Sequence, residues 1–301
     1  MDEFDLEKLL SGANGDASRT RILRALVAKK QLFLSLYDYA DKQGRRAPAP
    51  IRNLATAEII RAQGIAFVEA HYDAGFVGES LLAVEQALAA GGALPASKIA
   101  SGGWFEDKSR SRAFQFDPIS GRSRVIWGSP VKAPPVIRRL MGDPELTGII
   151  SSYYNGANVR CDRVLGEKLV PGEIGDRWHM DSITDQFKVM VLLTSVKATS
   201  GPMHYLTGTH HRPSAFDETY HRILNKGYKQ FAYPSPNEVS PFLEGLKVCS
   251  GSPGNCILFD TIGIHSGTRC EEGERSILSA YYTIDTMKNR MLFSLNLDYE
   301  I

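Results

Sequence analysis

A histidine and an aspartate stand two residues apart in the segment RWHMDSIT, residues 177–184, as His179 and Asp181. Residues i and i+2 of a β-strand point to the same face, so this spacing places an imidazole beside a carboxylate. Both groups ligate metal ions, and a third ligand would have to come from elsewhere in the fold. The pair alone is weak evidence, because a chain with 7 histidines can produce it by chance and polar residues on an exposed strand would explain it equally well.

The predicted third ligand is His265, in the segment FDTIGIHSGTRCEEGERS. Two histidines and one carboxylate on one face of a metal are the ligand set of non-haem iron(II) oxygenases, which leaves coordination positions open. A structural zinc site would need four protein ligands, which leave no coordination position open. Arg275 follows His265 by ten residues, and we expect it to open a strand that the intervening turn pairs with the strand of His265. Both side chains would then face one cavity, where the guanidinium can bind a carboxylate through two hydrogen bonds.

Three segments resemble core blocks of the phytanoyl-CoA dioxygenase family of Fe(II)/2-oxoglutarate oxygenases: WHMD, LLTSVKATSGPMHYLTGTHH and SPGNCILFDTIGIHSGTRCEEGERSILSAYYT. The similarity spans roughly residues 55–285 and is strong only after residue 159. It implies a mainly β fold with α-helices, in which helices pack on a double-stranded β-helix (a cupin-like jelly roll). It also implies that His179, Asp181 and His265 bind Fe(II), and that Arg275 anchors the cosubstrate 2-oxoglutarate, with O2 as the other cosubstrate.

The chain departs from the family pattern at one position near the distal histidine. Members often carry Ser or Thr two residues after that histidine, where the hydroxyl assists the arginine. Here the position is Gly267, between Ser266 and Thr268. The resemblance therefore leaves two candidates for the assisting hydroxyl, of which Thr268 is preferred.

The reaction that the resemblance implies is hydroxylation of a C–H bond in a small-molecule metabolite, with release of succinate and CO2. Related halogenases replace the carboxylate ligand with Gly or Ala, so Asp181 argues against halogenation. Desaturation and cyclisation stay open. So do a cupin-type metal-dependent isomerase or hydrolase and a non-enzymatic metal- or ligand-binding β-domain. Arg275 favours the oxygenase over the cupin-type enzyme, because the latter needs no carboxylate anchor.

The composition is that of an ordinary soluble globular protein, with 43% hydrophobic residues and a mean hydropathy of −0.20. Since 35 basic residues balance 34 acidic ones, no global charge predicts nucleic acid or membrane as a partner. The four cysteines show no C-x-x-C spacing, and the acidic N-terminus lacks the features of a signal peptide. These observations predict a cytoplasmic protein, whose oligomeric state the sequence does not indicate.

The elements that must position these residues follow from hydrophobic periodicity. Helical spacing of apolar residues predicts helices at 16–46, 56–63, 79–95 and 134–156, the last as one or two helices. Alternation predicts a strand at 64–72 and six or more short strands from 159 onward, interrupted by a helix at 214–229. We therefore expect a single domain with a mostly helical part at 1–110, a jelly-roll core at 111–290 and a C-terminal tail at 291–301.

Overall fold

The computed structural model describes residues 54–91, 103–107, 112–116, 123–128, 130–173, 175, 177–181, 184–211 and 233–286. The helices predicted at 16–46 and 214–229 and the predicted tail lie outside these residues, so the division of the domain into three parts stays a prediction. None of the described helices combines the length and apolarity needed to cross a bilayer.

Helices and strands both follow the predicted periodicity. The α-helices are α1 (Leu54–Gln63), α2 (Ala74–Gly91), α3 (Pro135–Met141), α4 (Pro144–Tyr153) and α5 (Pro236–Val239), with 3₁₀ turns at Thr209–His211 and Ser240–Gly245. The strands are β1 (Ile65–Val68), β2 (Gly103–Asp107), β3 (Arg112–Phe116), β4 (Ser123–Trp127), β5 (Val159–Leu169), β6 (Gln186–Leu192), β7 (Met203–Leu206), β8 (Leu246–Cys249), β9 (Cys256–Asp260), β10 (His265–Gly267) and β11 (Arg275–Ile284).

The strands form two antiparallel sheets. The larger sheet has the order β1-β9-β6-β11-β5-β4-β3-β2, and the smaller has the order β10-β7-β8. An apolar cluster joins inward side chains of both sheets, among them Met190 and Ile277 of the larger and Tyr205 of the smaller. This is the predicted mainly β jelly roll with helices. Strands β1 and β2 fall in the part predicted to be mostly helical, and they form the two edges of the larger sheet.

The helices cover the outer face of the larger sheet. Because successive residues of a strand point to opposite faces, Phe187, Val189 and Val191 of β6 pack outward in the cluster that contains the helical side chains. Lys188 and Met190 point the other way and line a cavity on the inner side of the sheet. Strand β6 is thus buried on both faces, as the nearly unbroken apolar run FKVMVLL would suggest.

The turn from α3 to α4 is closed by Asp143. Its Oδ1 accepts the backbone N–H groups of Glu145 (2.9 Å) and Leu146 (3.1 Å), which caps the N-terminus of α4. Its Oδ2 accepts the hydroxyl of Tyr72 at 2.8 Å and lies 3.1 Å from His71 Nε2. One carboxylate therefore ties the loop after β1 to the helical layer.

The prediction of a hairpin that pairs the strands of His265 and Arg275 is wrong. Strand β10 pairs with β7 in the smaller sheet, whereas β11 pairs with β5 and β6 in the larger one. The intervening chain bonds elsewhere, since Thr268 N donates to Pro202 O and Cys270 N to Glu173 O. The two side chains still line one cavity, because they project from different sheets into the space between them.

Candidate active site

The two histidines occupy directly opposed backbone positions. The amide of His179 donates to the carbonyl of His265 at 2.8 Å, and the amide of His265 donates back to the carbonyl of His179 at 2.9 Å. The amide of Asp181 donates to the carbonyl of Thr261 at 3.2 Å. Chain pairing thus brings His265 to His179 and Asp181, which precede it by more than eighty positions.

Both imidazoles are oriented by the backbone. The Nδ1 of His179 lies 2.6 Å from the carbonyl of Arg177, and that of His265 lies 2.8 Å from the carbonyl of Gly263. A carbonyl only accepts, so each Nδ1 carries a proton, and in the neutral imidazole Nε2 then presents a lone pair. Burial also lowers the pKa of His265, which favours the neutral form that binds metals.

The three predicted ligands converge on one point. Oδ1 of Asp181 lies 3.3 Å from Nε2 of His179 and 3.6 Å from Nε2 of His265. All three side chains are at least nine-tenths buried. His265 Nε2 and Asp181 Oδ1 face this point, and neither has a hydrogen-bond donor among the described residues. Converging lone pairs without a donor need a cation between them, so these residues fit a metal ion.

Lys188 faces the other oxygen of the aspartate. Its Nζ forms an ion pair with Asp181 Oδ2 and lies 4.5 Å from the ring centre of Tyr281. Burial by itself raises the pKa of Asp181, but the lysine charge and the interactions with His265 and His179 together hold that pKa well below its usual value. Lys188 is not among the residues predicted from the sequence, although a lone charge inside the apolar run FKVMVLL is a usable signal.

Arg275 lies elsewhere in the cavity, in a second charged group. Its Nη1 donates to the carbonyl of Gly201 and its Nη2 donates to Glu167 Oε1 at 2.5 Å, while its Nε has no hydrogen-bond partner among the described residues. Arg124, on the strand beside β5, binds the other carboxylate oxygen of Glu167. A buried carboxylate therefore lies between two guanidinium groups. Sequence reasoning missed both Glu167 and Arg124, because only the pairing of β4 with β5 brings them together.

The two candidate hydroxyls differ in their surroundings. The hydroxyl of Thr268 donates to the carbonyl of Pro202 at 2.8 Å. Ser266 is buried and lines the cavity with His265 and Arg275. Which of the two assists Arg275 stays a prediction, and the cavity position favours Ser266.

Comparison with protein-family models found no match, and neither did a sequence comparison with curated proteins. Solved structures do match. The non-haem α-ketoglutarate-dependent epimerase SnoN from nogalamycin biosynthesis is 17% identical with a TM-score of 0.54, over 76% of this chain and 82% of that one. The carbocyclase SnoK of the same biosynthesis is 14% identical with a TM-score of 0.54, over 78% of this chain and 84% of that one. EctD from S. alaskensis, solved with 2-oxoglutarate and 5-hydroxyectoine, is 18% identical with a TM-score of 0.56, over 78% of this chain and 77% of that one.

At these low identities the likeness establishes the fold. The described chain has the jelly-roll fold of non-haem 2-oxoglutarate-dependent enzymes, some of which have been crystallised with iron. Shared fold does not fix chemistry, since the similar enzymes include an epimerase and a carbocyclase. The narrower resemblance to the phytanoyl-CoA dioxygenase family stays a prediction.

Proposed function

We propose that this protein is an Fe(II)/2-oxoglutarate-dependent dioxygenase that hydroxylates a C–H bond of a small-molecule metabolite. His179, Asp181 and His265 would hold Fe(II), and Arg275 would hold the distal carboxylate of 2-oxoglutarate. Bound iron with 2-oxoglutarate and O2 supplies the oxidising chemistry, converting substrate C–H to C–OH and releasing succinate and CO2. The observation that carries the proposal is the convergence of three buried acceptor atoms in a cavity that also contains Arg275.

The residues of the metal end favour iron(II) over a structural ion. Two imidazole nitrogens and one carboxylate oxygen form a set of three ligands, which leaves positions open for a chelating cosubstrate and O2. The carbonyls of Arg177 and Gly263 fix both imidazoles, so ligand binding requires no rearrangement of their protons.

The arginine end favours an anionic cosubstrate. Arg124 and Arg275 together carry two positive charges, and Glu167 carries one negative charge, so the three groups keep one net positive charge. A carboxylate that reaches the unpartnered Nε of Arg275 would balance this charge. A cupin-type isomerase or hydrolase, or a passive metal-binding domain, has no use for such an anchor.

The site residues support iron and 2-oxoglutarate as cofactor and cosubstrate, but they do not determine which product is formed. SnoN and SnoK are named as an epimerase and a carbocyclase, so epimerisation or cyclisation is the second candidate beside hydroxylation. Product mass distinguishes them, because hydroxylation adds one oxygen atom, ring closure removes two hydrogens and epimerisation leaves the mass unchanged.

The first experiment is anaerobic addition of Fe(II) and then 2-oxoglutarate to the purified protein. We expect a weak visible charge-transfer band that requires both additions and, after O2 is admitted, release of succinate that depends on iron. Fe(II) with succinate in place of 2-oxoglutarate is the control. Absence of the band together with iron-independent succinate release would contradict the proposed function.

A further inference from the structure

We infer that Lys188 is a positioning residue for Asp181: its ammonium group holds Oδ2, so that Asp181 binds the metal through Oδ1 alone. The inference rests on the proposed function, because it takes Asp181 as a metal ligand. Lys188 is neither one of the three proposed metal ligands nor the proposed anchor of 2-oxoglutarate, so the proposed function alone gives it no role.

The two oxygens of Asp181 face different partners. Oδ1 lies 3.3 Å and 3.6 Å from the Nε2 atoms of His179 and His265, on the side where the three ligands converge. Oδ2 forms the ion pair with the Lys188 ammonium group. Since one oxygen is held by a cation of the protein, the other is left to complete the ligand set.

The surroundings of Lys188 direct its charge to this carboxylate. Its side chain is 11% exposed, and its neighbours across the sheet are Phe259 of β9 and Tyr281 of β11. Their ring centres lie 5.8 Å and 4.5 Å from Nζ. Aromatic faces tolerate a cation, and the Tyr281 hydroxyl can accept one of its hydrogen bonds, but neither replaces a counter-ion in a buried site. The carboxylate of Asp181 therefore determines where the ammonium group rests.

Stability alone does not account for a lysine at this position. The following inward residues of the same strand are Met190 and Leu192, both in the apolar cluster between the sheets. Replacing a buried ion pair by packed apolar side chains is often neutral or stabilising. An apolar residue at position 188 would suit the sheet if Asp181 needed no orientation.

Binding through one oxygen matters because coordination positions are limited. A six-coordinate ion with three protein ligands keeps three positions, of which a chelating 2-oxo acid takes two and O2 takes one. A carboxylate that binds through both oxygens occupies a fourth position. By holding Oδ2, Lys188 keeps that position open.

The test uses Mn(II) as the probe, since this ion is paramagnetic and octahedral, and counts its exchangeable waters by water-proton relaxation. Lys188→Met removes the ammonium group, Lys188→Leu is a second neutral variant, and Lys188→Gln retains an N–H donor without charge. Lys168→Met is the matched control, because Lys168 pairs with Glu274 and does not line the cavity. All are purified with Mn(II) present, and their folding is checked by circular dichroism.

We expect about three exchangeable waters in the wild type and in Lys168→Met, and about two in Lys188→Met and Lys188→Leu, a fall in relaxation enhancement of about one third. Lys188→Gln should recover most of the loss. Equal enhancement in the wild type and in a folded neutral variant would overturn the inference. Failure of the wild type to bind Mn(II) would instead count against the proposed metal centre, so the two failures are distinguishable.

Discussion

Two groups of polar residues line the cavity, one at the proposed metal ligands and one around Arg275, and they differ in how many of their hydrogen-bonding atoms have partners. Where His179, Asp181 and His265 meet, acceptor atoms converge with no donor between them. Where Arg275 lies, both terminal nitrogens already have acceptors, the carbonyl of Gly201 and Glu167, and Nε alone lacks one among the described residues. The first group is incomplete without a cation, whereas the second is largely satisfied by the protein itself.

This difference indicates how tightly each group depends on its ligand. Unpaired buried acceptors are costly, so the metal end gains both affinity and stability when an ion binds. The arginine end is preorganised by the protein, and its one net positive charge is what a cosubstrate can compensate. Variants at the metal end should therefore have large effects on both binding and stability, and variants at the arginine end should mainly change the requirement for 2-oxoglutarate.

The largest effect is expected from Asp181→Ala, which breaks the metal end. The variant leaves two imidazoles for the metal, and it leaves Lys188 buried without its counter-ion. We expect metal affinity to fall by more than about 100-fold. We also expect the free energy of unfolding of the metal-free protein to fall by about 3–5 kcal/mol. Metal titration and urea unfolding measure the two effects.

A double variant separates these two consequences. Asp181→Ala with Lys188→Met removes both charges, so stability should return to within about 1 kcal/mol of the wild type while metal affinity stays low. Metal affinity of wild-type strength in either variant would show that Asp181 is not a ligand.

How much of this site the sequence could predict depends on the range of the interactions. The spacing of His179 and Asp181 is local, and strand geometry alone places their side chains together. The partner of the Arg275 strand was predicted wrongly, because a turn between two strands does not reveal that they belong to different sheets. A lone charge in an apolar run could have singled out Lys188, but its partner Asp181 and the partners of Glu167 follow only from the tertiary fold.

The fold shows the same division. Alternation within residues 64–72 predicted β1, and apolar periodicity predicted α1, α2 and the helices α3 and α4. The order of the strands was not contained in these patterns, since each strand is compatible with several neighbours. The resemblance to a known family supplied the jelly roll, and solved structures of low identity confirm it.

An intermediate effect is expected at the arginine end, where opposite variants of one ion pair should move the 2-oxoglutarate requirement in opposite directions. Arg275→Ala removes a charged hydrogen-bond donor worth about 1.5–3 kcal/mol, so the KM for 2-oxoglutarate should rise by about 10–100-fold. Glu167→Gln removes the carboxylate that competes for Arg275, so the KM should fall severalfold. Succinate release against 2-oxoglutarate concentration measures both.

Metal titration is the control for this pair of variants, because neither residue belongs to the metal end. We expect metal affinity to stay within about twofold of the wild type, since sites without shared partners act independently. A rise in KM for Glu167→Gln would mean that Glu167 supports the cosubstrate rather than competing with it. An unchanged KM for Arg275→Ala would remove Arg275 from the proposed site.

The smallest effect is expected at Asp143, a carboxylate outside the cavity whose two oxygens both have hydrogen-bond partners in the protein. Burial by itself raises its pKa, but hydrogen bonds from His71, Tyr72 and the Leu146 amide lower the pKa to about 2 from its ordinary value of 3.8. A carboxyl group whose pKa is lower in the folded state stabilises the fold above its unfolded pKa, and this contribution is lost as pH falls through the folded pKa. Asp143→Ala should therefore cost about 1–2 kcal/mol at pH 6, as loss of a helix N-cap does.

The difference in unfolding free energy between the wild type and Asp143→Ala should shrink as the pH is lowered from about 5 toward 2, because the wild-type carboxylate becomes protonated there. Urea unfolding at several pH values measures it, and Asp143→Asn, which keeps a capping oxygen without the charge, separates capping from charge. Metal affinity and the KM for 2-oxoglutarate should not change in either variant, because the Asp143 side chain binds the loop after β1 and the start of α4 and does not line the cavity. A carboxylate that already has its donors has no use for an ion, so a change in metal affinity here would contradict the distinction between satisfied and unsatisfied acceptors on which the metal centre rests.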